Sequence, residues 1–186
     1  MTTTTPGGSV VVVMGVSASG KSTVAVALAR RSGAHYLDAD DFHPARNVAK
    51  MHAGVPLTDQ DRRPWLDRIR HELDAVTAGG EDVVLACSAL KQRYRAVLRT
   101  TSAPLRLVYL RATHDELACR ITARTRHFFP AALLQSQFAA LEEPTEAERA
   151  VVVSAILPPW SILDRISGAL PDTRPCARTG SKHPPP

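Results

Sequence analysis

Short apolar runs alternate with segments of helical period along most of the chain. Val10–Val13 is a β-branched run closed by Met14, as expected of a strand buried on both faces. Lys21–Arg31 follows with Val24 and Leu28 on one helical face. His35–Asp38 reads as a short strand and Pro44–His52 as a helix. Pro64–Val76 places Leu66, Ile69, Leu73 and Val76 at i, i+3, i+7 and i+10, the stripe of an amphipathic helix, with Pro64 suited to its first turn. Val83–Cys87 is an apolar strand, and Ala89–Arg99 a helix with Leu90, Tyr94 and Val97 inward. Leu105–Leu110 and Val151–Ile156 complete the strands. Asp115–Arg124, Ala131–Leu141 and Ser161–Leu170 complete the helices. Such alternation predicts an α/β fold: five parallel strands covered by helices on both faces. Ligands of such sheets bind at the carboxyl ends of the strands.

The pattern holds from residue 9 to residue 170. Residues 1–8 are rich in Thr, Gly and Pro and are expected to be disordered, and residues 171–186 read as a flexible Pro-rich tail. A chain of 186 residues is long enough for one domain with a core of its own. Cys87, Cys119 and Cys176 are an odd, scattered set, which argues against a disulfide framework or zinc knuckle and fits a reducing compartment. Val10–Val16 is far shorter than the ~20 apolar residues of a membrane span. No basic residue precedes it, so it is not expected to be a signal peptide either. The net charge is +5, part of it in the tail. That suits an anionic small molecule and is weak support for a nucleic acid or membrane partner.

Candidate chemistry begins after the first strand. Gly15-Val16-Ser17-Ala18-Ser19-Gly20-Lys21-Ser22 fits G-x-x-x-x-G-K-[ST] between a strand and a helix. Its backbone N–H groups and the helix N-terminus suit phosphate. Lys21 is expected at the β/γ-phosphates of ATP, and the Ser22 hydroxyl at Mg²⁺. The chain has no N-K-x-D, D-x-x-G or L-S-G-G-Q string, which argues against a GTP switch or a transporter ATPase. Acids end only one strand, in Tyr36-Leu37-Asp38-Ala39-Asp40-Asp41, as in small kinases that act on metabolites. In an extended segment Asp38 and Asp40 share a face. Asp38 is then a candidate for Mg²⁺ and Asp40 for the base that takes the acceptor hydroxyl's proton. Helix capping is the alternative for Asp40 and for Asp41.

His43, Arg46, Asn47 and Lys50 follow at i, i+3, i+4 and i+7, one polar face that is either solvated or a cradle for a polar anion. Arg46 suits a carboxylate and Asn47 suits hydroxyls. Asp59, Asp61 and Arg62 either order their loop against substrate or serve in capping and pairing. Trp65 is expected in the core. Arg120 and Arg124 are i, i+4, with Arg126 and His127 beyond. Like charges at that spacing oppose a helix unless they meet an anion, so a basic helical lid over ATP is one reading and a solvated face the other. In the lid reading Arg124 is a catalytic candidate. Phe128 and Phe129 are expected to pack.

The strings GVSASGKST, LDADDFHP with N-x-x-K-M, GVPLTDQDRRPWL, CSALKQRYR and HFFPAALLQSQFAALEEP occur in this order. Together they resemble the small P-loop gluconokinases, relatives of shikimate and adenylate kinases. The resemblance implies a three-layer P-loop kinase fold with a helical lid. It also implies ATP-dependent phosphorylation of D-gluconate to 6-phospho-D-gluconate with Mg²⁺, feeding the pentose phosphate pathway, in the cytoplasm and often as a homodimer. It makes Gly15, Ser17, Ala18, Ser19, Gly20, Lys21, Ser22 and Thr23 the nucleotide loop, and Asp40 the base. His43, Arg46, Asn47, Lys50, Lys91, Arg95 and His127 fall on the gluconate side, and Arg120 and Arg124 in the adenine and lid region. Ala18 stands where the family usually has Gly, Arg126 where a small residue is common, and Ser154 where an acid is often seen. Other small-metabolite kinases of the same fold, and an inactive nucleotide-binding module, are the rival readings.

Overall fold

The structure, a computed structural model, describes residues 7–123 and 131–170. Its strands are β1 Val10–Met14, β2 His35–Asp38, β3 Val83–Ala86, β4 Leu105–Arg111 and β5 Val151–Ser154. They form one sheet in the order β2-β3-β1-β4-β5. Every neighbouring pair is parallel. The helices are α1 Lys21–Ser32, α2 Ala45–His52, α3 Asp59–Ala78, α4 Gln92–Leu98, α5 His114–Ala123, α6 Ala131–Ala140 and α7 Pro159–Ala169.

The pleat of β1 divides the core in two. Val11 and Val13 point to a cluster with Val24 and Leu28 of α1, Leu117 of α5, Leu134 of α6 and Ile162 and Ile166 of α7. Val10, Val12 and Met14 point the other way, to Leu66, Ile69 and Leu73 of α3 and Tyr94 and Leu98 of α4. Period-2 alternation in a strand buried on both faces thus builds three layers.

Two helix starts differ most from expectation. α3 begins at Asp59, with Pro64 inside it. Thr58 and Asp61 form a capping box: Thr58 Oγ1 accepts from the Asp61 N–H at 3.2 Å, and Asp61 Oδ2 accepts from the Thr58 N–H at 2.9 Å. That box starts the helix before the proline, since Thr and Asp satisfy the free N–H groups of a first turn. α4 begins at Gln92, after Ala89 takes a φ of +43°. Its first turn is capped from a distance by Glu142, which accepts from the Gln92 N–H at 2.6 Å. β2 spans His35–Asp38 as expected, and the chain then enters a 3₁₀ turn, Ala39–Phe42.

Candidate active site

The phosphate cradle lies at the carboxyl end of β1, the central strand. Gly15 has φ +149°, and a Cβ there would come within 2.9 Å of the Leu110 carbonyl oxygen and the Ser19 hydroxyl. Only glycine fits. Gly20, at φ +94°, turns the chain into α1 and leaves that helix's N-terminus without a side-chain cap. Its free N–H groups are the donors an anion needs. Ser19 is buried, and its hydroxyl has no partner among the described residues. Thr23 is exposed on the first turn of α1. Lys21 Nζ donates to the Val16 carbonyl at 3.0 Å. Loss of hydration lowers the Lys21 pKa, while Asp40 and then, after Cys87, Asp38 pull it back up.

That coupling brings the acids of β2 to the cradle. Asp38 Oδ2 accepts from the Ser22 hydroxyl at 3.2 Å and from the Tyr36 hydroxyl at 2.8 Å. Its Oδ1 accepts from the Asp40 N–H at 3.1 Å. Asp38 and Asp40 therefore do not alternate along an extended strand. Asp38 caps the 3₁₀ turn, and the turn carries Asp40. The helix-capping alternative for Asp40 and Asp41 is not realised at α2, which starts from Pro44 without a side-chain cap. Ser22 and Asp38 are adjacent oxygen donors of the kind Mg²⁺ takes together with phosphate oxygens.

Asp40 is an exposed residue whose carboxyl pKa is nonetheless raised, by partial desolvation first and the Asp38 charge second; His43 and Lys21 oppose the rise. A carboxylate so placed is more basic than an ordinary one. Tyr36 is pushed up to about 12 by burial and by its bond to Asp38, so its hydroxyl stays a donor.

Trp65 braces the acid-bearing turn. It is buried, as expected, but its Nε1–H also donates to the Ala39 carbonyl at 2.6 Å. His43 stacks on its ring with centroids 4.5 Å apart and planes 8° apart. Burial lowers the His43 pKa, Asp40 raises it and Arg62 lowers it again, which favours the neutral imidazole.

The basic residues of the acceptor side divide sharply. Arg46 is exposed and pairs with no acid among the described residues. Lys50 Nζ is 2.8 Å from both carboxylate oxygens of Asp61. That bond, with those from Thr58, holds the Asp61 carboxyl well below the usual range. Asn47 is completely buried and donates to the Asp61 carbonyl at 2.9 Å, while its Oδ1 has no partner among the described residues. Lys91 precedes α4 instead of lying in it, and its Nζ is 3.1 Å from Asp59. Asp59 also takes Arg93 and the Tyr94 hydroxyl. Arg62 donates to the Leu57 carbonyl. Capping and pairing thus occupy Asp59, Asp61 and Arg62.

Arg95 departs furthest from its expected place. Its side chain is 1% exposed and forms a two-pronged pair with Glu148, at 2.7 and 2.8 Å. Its other nitrogen donates to the carbonyls of Ala89, Leu90 and Glu142. All three guanidinium nitrogens are engaged by protein acceptors, and Arg95 is a structural cation that locks α4 to the segment before β5.

Arg120 reaches over the cradle, donating to the Ala155 carbonyl at 2.9 Å and the Ser19 carbonyl at 3.4 Å. It therefore spans the nucleotide loop and the end of β5. Arg124, Arg126, His127, Phe128 and Phe129 lie outside the described residues, as do residues 171–186. Three residues with clear roles here escaped the sequence reading: Tyr36, the brace function of Trp65, and Gln137. Tyr36 had a signal, because it lies two residues before Asp38 on a strand. Gln137 had none. It reaches the cradle from α6, accepting from the Ser17 N–H at 2.6 Å and donating to the Ser17 hydroxyl at 2.7 Å.

A phosphate cradle at one strand end and a carboxylate-bearing turn two strands away belong together in the P-loop kinases. The family profile described as an AAA domain matches residues 10–144. The chain is 45% identical over 155 residues to a gluconokinase of Gluconobacter oxydans, covering 83% of this chain and 87% of that one. It is 41% identical over 153 residues to the thermoresistant gluconokinase of Escherichia coli, covering 82% and 87%. The crystal structure of a gluconokinase from Sinorhizobium meliloti superposes with a TM-score of 0.79 at 42% identity, over 89% of this chain and 92% of that one. The protein belongs to the gluconokinase family. A shikimate kinase from Bacteroides thetaiotaomicron, at 18% identity and a TM-score of 0.61, shares the fold.

Proposed function

We propose that this protein transfers the γ-phosphoryl group of ATP to a hydroxyl of D-gluconate, giving 6-phospho-D-gluconate and ADP. The observation that carries the reading is the joint placement of Lys21, Ser22, Asp38 and Asp40. One turn delivers a basic carboxylate to the lysine of a phosphate cradle. Gly15–Thr23 holds the triphosphate, with Lys21 leaving the Val16 carbonyl for phosphate oxygens. Arg120 borders the adenine side. Asp40 orients the acceptor hydroxyl and takes its proton as the oxygen bonds to the γ-phosphorus and the bond to ADP breaks. Ser22 and Asp38 would hold Mg²⁺, which would supply charge neutralisation at the phosphates.

On the acceptor side, among the described residues, Arg46 pairs with no acid and the ring nitrogens of His43 meet only the Asn47 amide, 3.5 Å from Nδ1. Arg46 is assigned to the gluconate carboxylate, since a guanidinium binds carboxylate in a two-pronged manner. Lys50, Lys91 and Asn47 shape that side through Asp61 and Asp59. Arg124 and His127 keep the roles of lid and substrate contact. Among the described residues no helix is long and apolar enough to cross a membrane. The cytoplasm, the usual home of small-metabolite phosphorylation by ATP, is the proposed compartment, and a homodimer the proposed assembly.

A coupled assay with MgATP against gluconate, other sugar acids, shikimate and nucleoside monophosphates tests the reading. The expected result is ADP formation strictly dependent on gluconate, with 6-phosphogluconate accumulating in equal amount. Turnover with shikimate or a nucleotide and none with gluconate would overturn it.

A further inference from the structure

Within the cradle, Ala18 sits at φ +64°, a left-handed conformation that costs a residue with a Cβ free energy and that glycine adopts freely. It occupies the third position of the turn Val16–Ser19, which is closed by the Ser19 N–H on the Val16 carbonyl at 3.3 Å. A positive φ at the third position of a turn is the demand usually met by glycine. Something must therefore keep Ala18 where the cradle needs it.

The residue before it is gripped at two points by a helix 120 positions further along the chain. Gln137 Oε1 accepts from the Ser17 N–H at 2.6 Å, and Gln137 Nε2 donates to the Ser17 hydroxyl at 2.7 Å. α6 is itself anchored in the core by Leu134, which is 2% exposed, so the amide hangs from a fixed support.

We propose that Gln137 is a positioning residue of the phosphate cradle, holding the loop in the binding-ready conformation that Ala18 by itself resists. The inference rests on the reading of Gly15–Thr23 as the ATP loop. Without the grip, Ala18 relaxes toward negative φ in part of the population, and apparent affinity falls by the fraction of loops still competent. The left-handed cost at a Cβ-bearing residue sets the size, about tenfold in affinity. With glycine at position 18 that cost vanishes, and so does most of the need for the grip.

The test is a double-mutant cycle on MgATP binding, read by calorimetry, with Gln137→Ala, Ala18→Gly and the pair, alongside melting temperatures. Wild type that fails to bind MgATP would sink the cradle reading itself. Given wild-type binding, Gln137→Ala is expected to raise Kd about tenfold. In the Ala18→Gly background the same substitution is expected to raise it by no more than about threefold, with kcat changing less than KM for ATP in both. An equal effect in both backgrounds would overturn the proposal. So would a lowered melting temperature with unchanged Kd. Tighter binding in Gln137→Ala would make the amide a competitor of phosphate for the Ser17 N–H, which also overturns it. Gln137→Met, of similar size, carries the same cycle if the alanine variant does not fold.

Discussion

The phosphate cradle takes its shape from eight consecutive residues, Gly15–Ser22, whereas the acceptor side is assembled from the 3₁₀ turn after β2, α2, α3 and the start of α4. In the cradle the backbone is the functional group, and glycine at 15 and 20 permits geometry that no side chain could. On the acceptor side the side chains matter, and the fold spends most of their charge on itself. Lys50 goes to Asp61, Lys91 and Arg93 to Asp59, and Arg95 to Glu148. Of the Lys and Arg residues expected there, among the described residues, Arg46 is the one left with its charge uncommitted. A local motif identifies its own ligands; a cationic helix face identifies only a set of candidates, and long-range pairing selects among them.

Arg95 and Arg46 break the comparison most sharply. Arg95→Ala is expected to cost about 3–5 kcal/mol of stability, because a fully buried guanidinium is removed from half-buried Glu148 and from the carbonyls of Ala89, Leu90 and Glu142. Its gluconate KM should not change, and urea unfolding beside steady-state kinetics reads both. The Arg95 bond depresses the Glu148 pKa. The pair's contribution is therefore present above the unfolded glutamate value near ~4.3 and is lost as pH falls through the lower folded value, so the variant and wild type should converge in strong acid. A raised gluconate KM with wild-type stability would return Arg95 to the substrate side.

Arg46→Ala is expected to do the reverse. Loss of a charge-assisted bond to a carboxylate weakens binding by about 1.5–3 kcal/mol, so gluconate KM should rise at least ~10-fold. The melting temperature and ATP affinity should stay put. Unchanged gluconate KM would show that Arg46, though uncommitted in the fold, does not hold the gluconate carboxylate. The smallest effect is expected at the tail. Deleting residues 171–186 should alter neither turnover nor melting temperature, since proline-rich polar sequence has little to bury, and thermal scans with the coupled assay would expose a misplaced boundary.

Much of this was legible in the sequence for physical reasons. The inner strands announced themselves as apolar runs, because a parallel sheet buried on both faces needs them, whereas the edge strand β2, His-Tyr-Leu-Asp, is only partly buried. The cradle was legible because its glycines and lysine are adjacent in the chain. The Asp38–Asp40 relation was not, because an Asx-type cap turned the chain out of the strand one residue before Asp40. The true start of α3 was masked by Pro64, whose usual first-turn place drew attention from the Thr58–Asp61 box. Arg95 was misread because its partners lie up to 53 residues away, and a buried guanidinium looks no different in sequence from an exposed one. Gln137 was missed for the same reason at greater distance. Ala18 was the exception: its departure from glycine was visible in the string, and the structure gives it the positive φ that makes the departure matter.

The central claim is that Asp40, carried on the turn capped by Asp38 and braced by Trp65, is the carboxylate that readies the acceptor hydroxyl. Asp40→Asn keeps the size and the turn and removes the basicity, so measuring its kcat, ATP affinity and pH profile tests the claim directly. A fall in kcat of at least ~10²-fold is expected, the low end for general-base assistance. ATP affinity and melting temperature should be retained. In wild type, kcat/KM should fall on the acid side at a pH above the ordinary aspartate range, since the Asp40 carboxyl is raised and must be ionised to act, and that limb should vanish in the variant. Near-normal turnover with the acid limb intact would contradict the account and move the base to another residue.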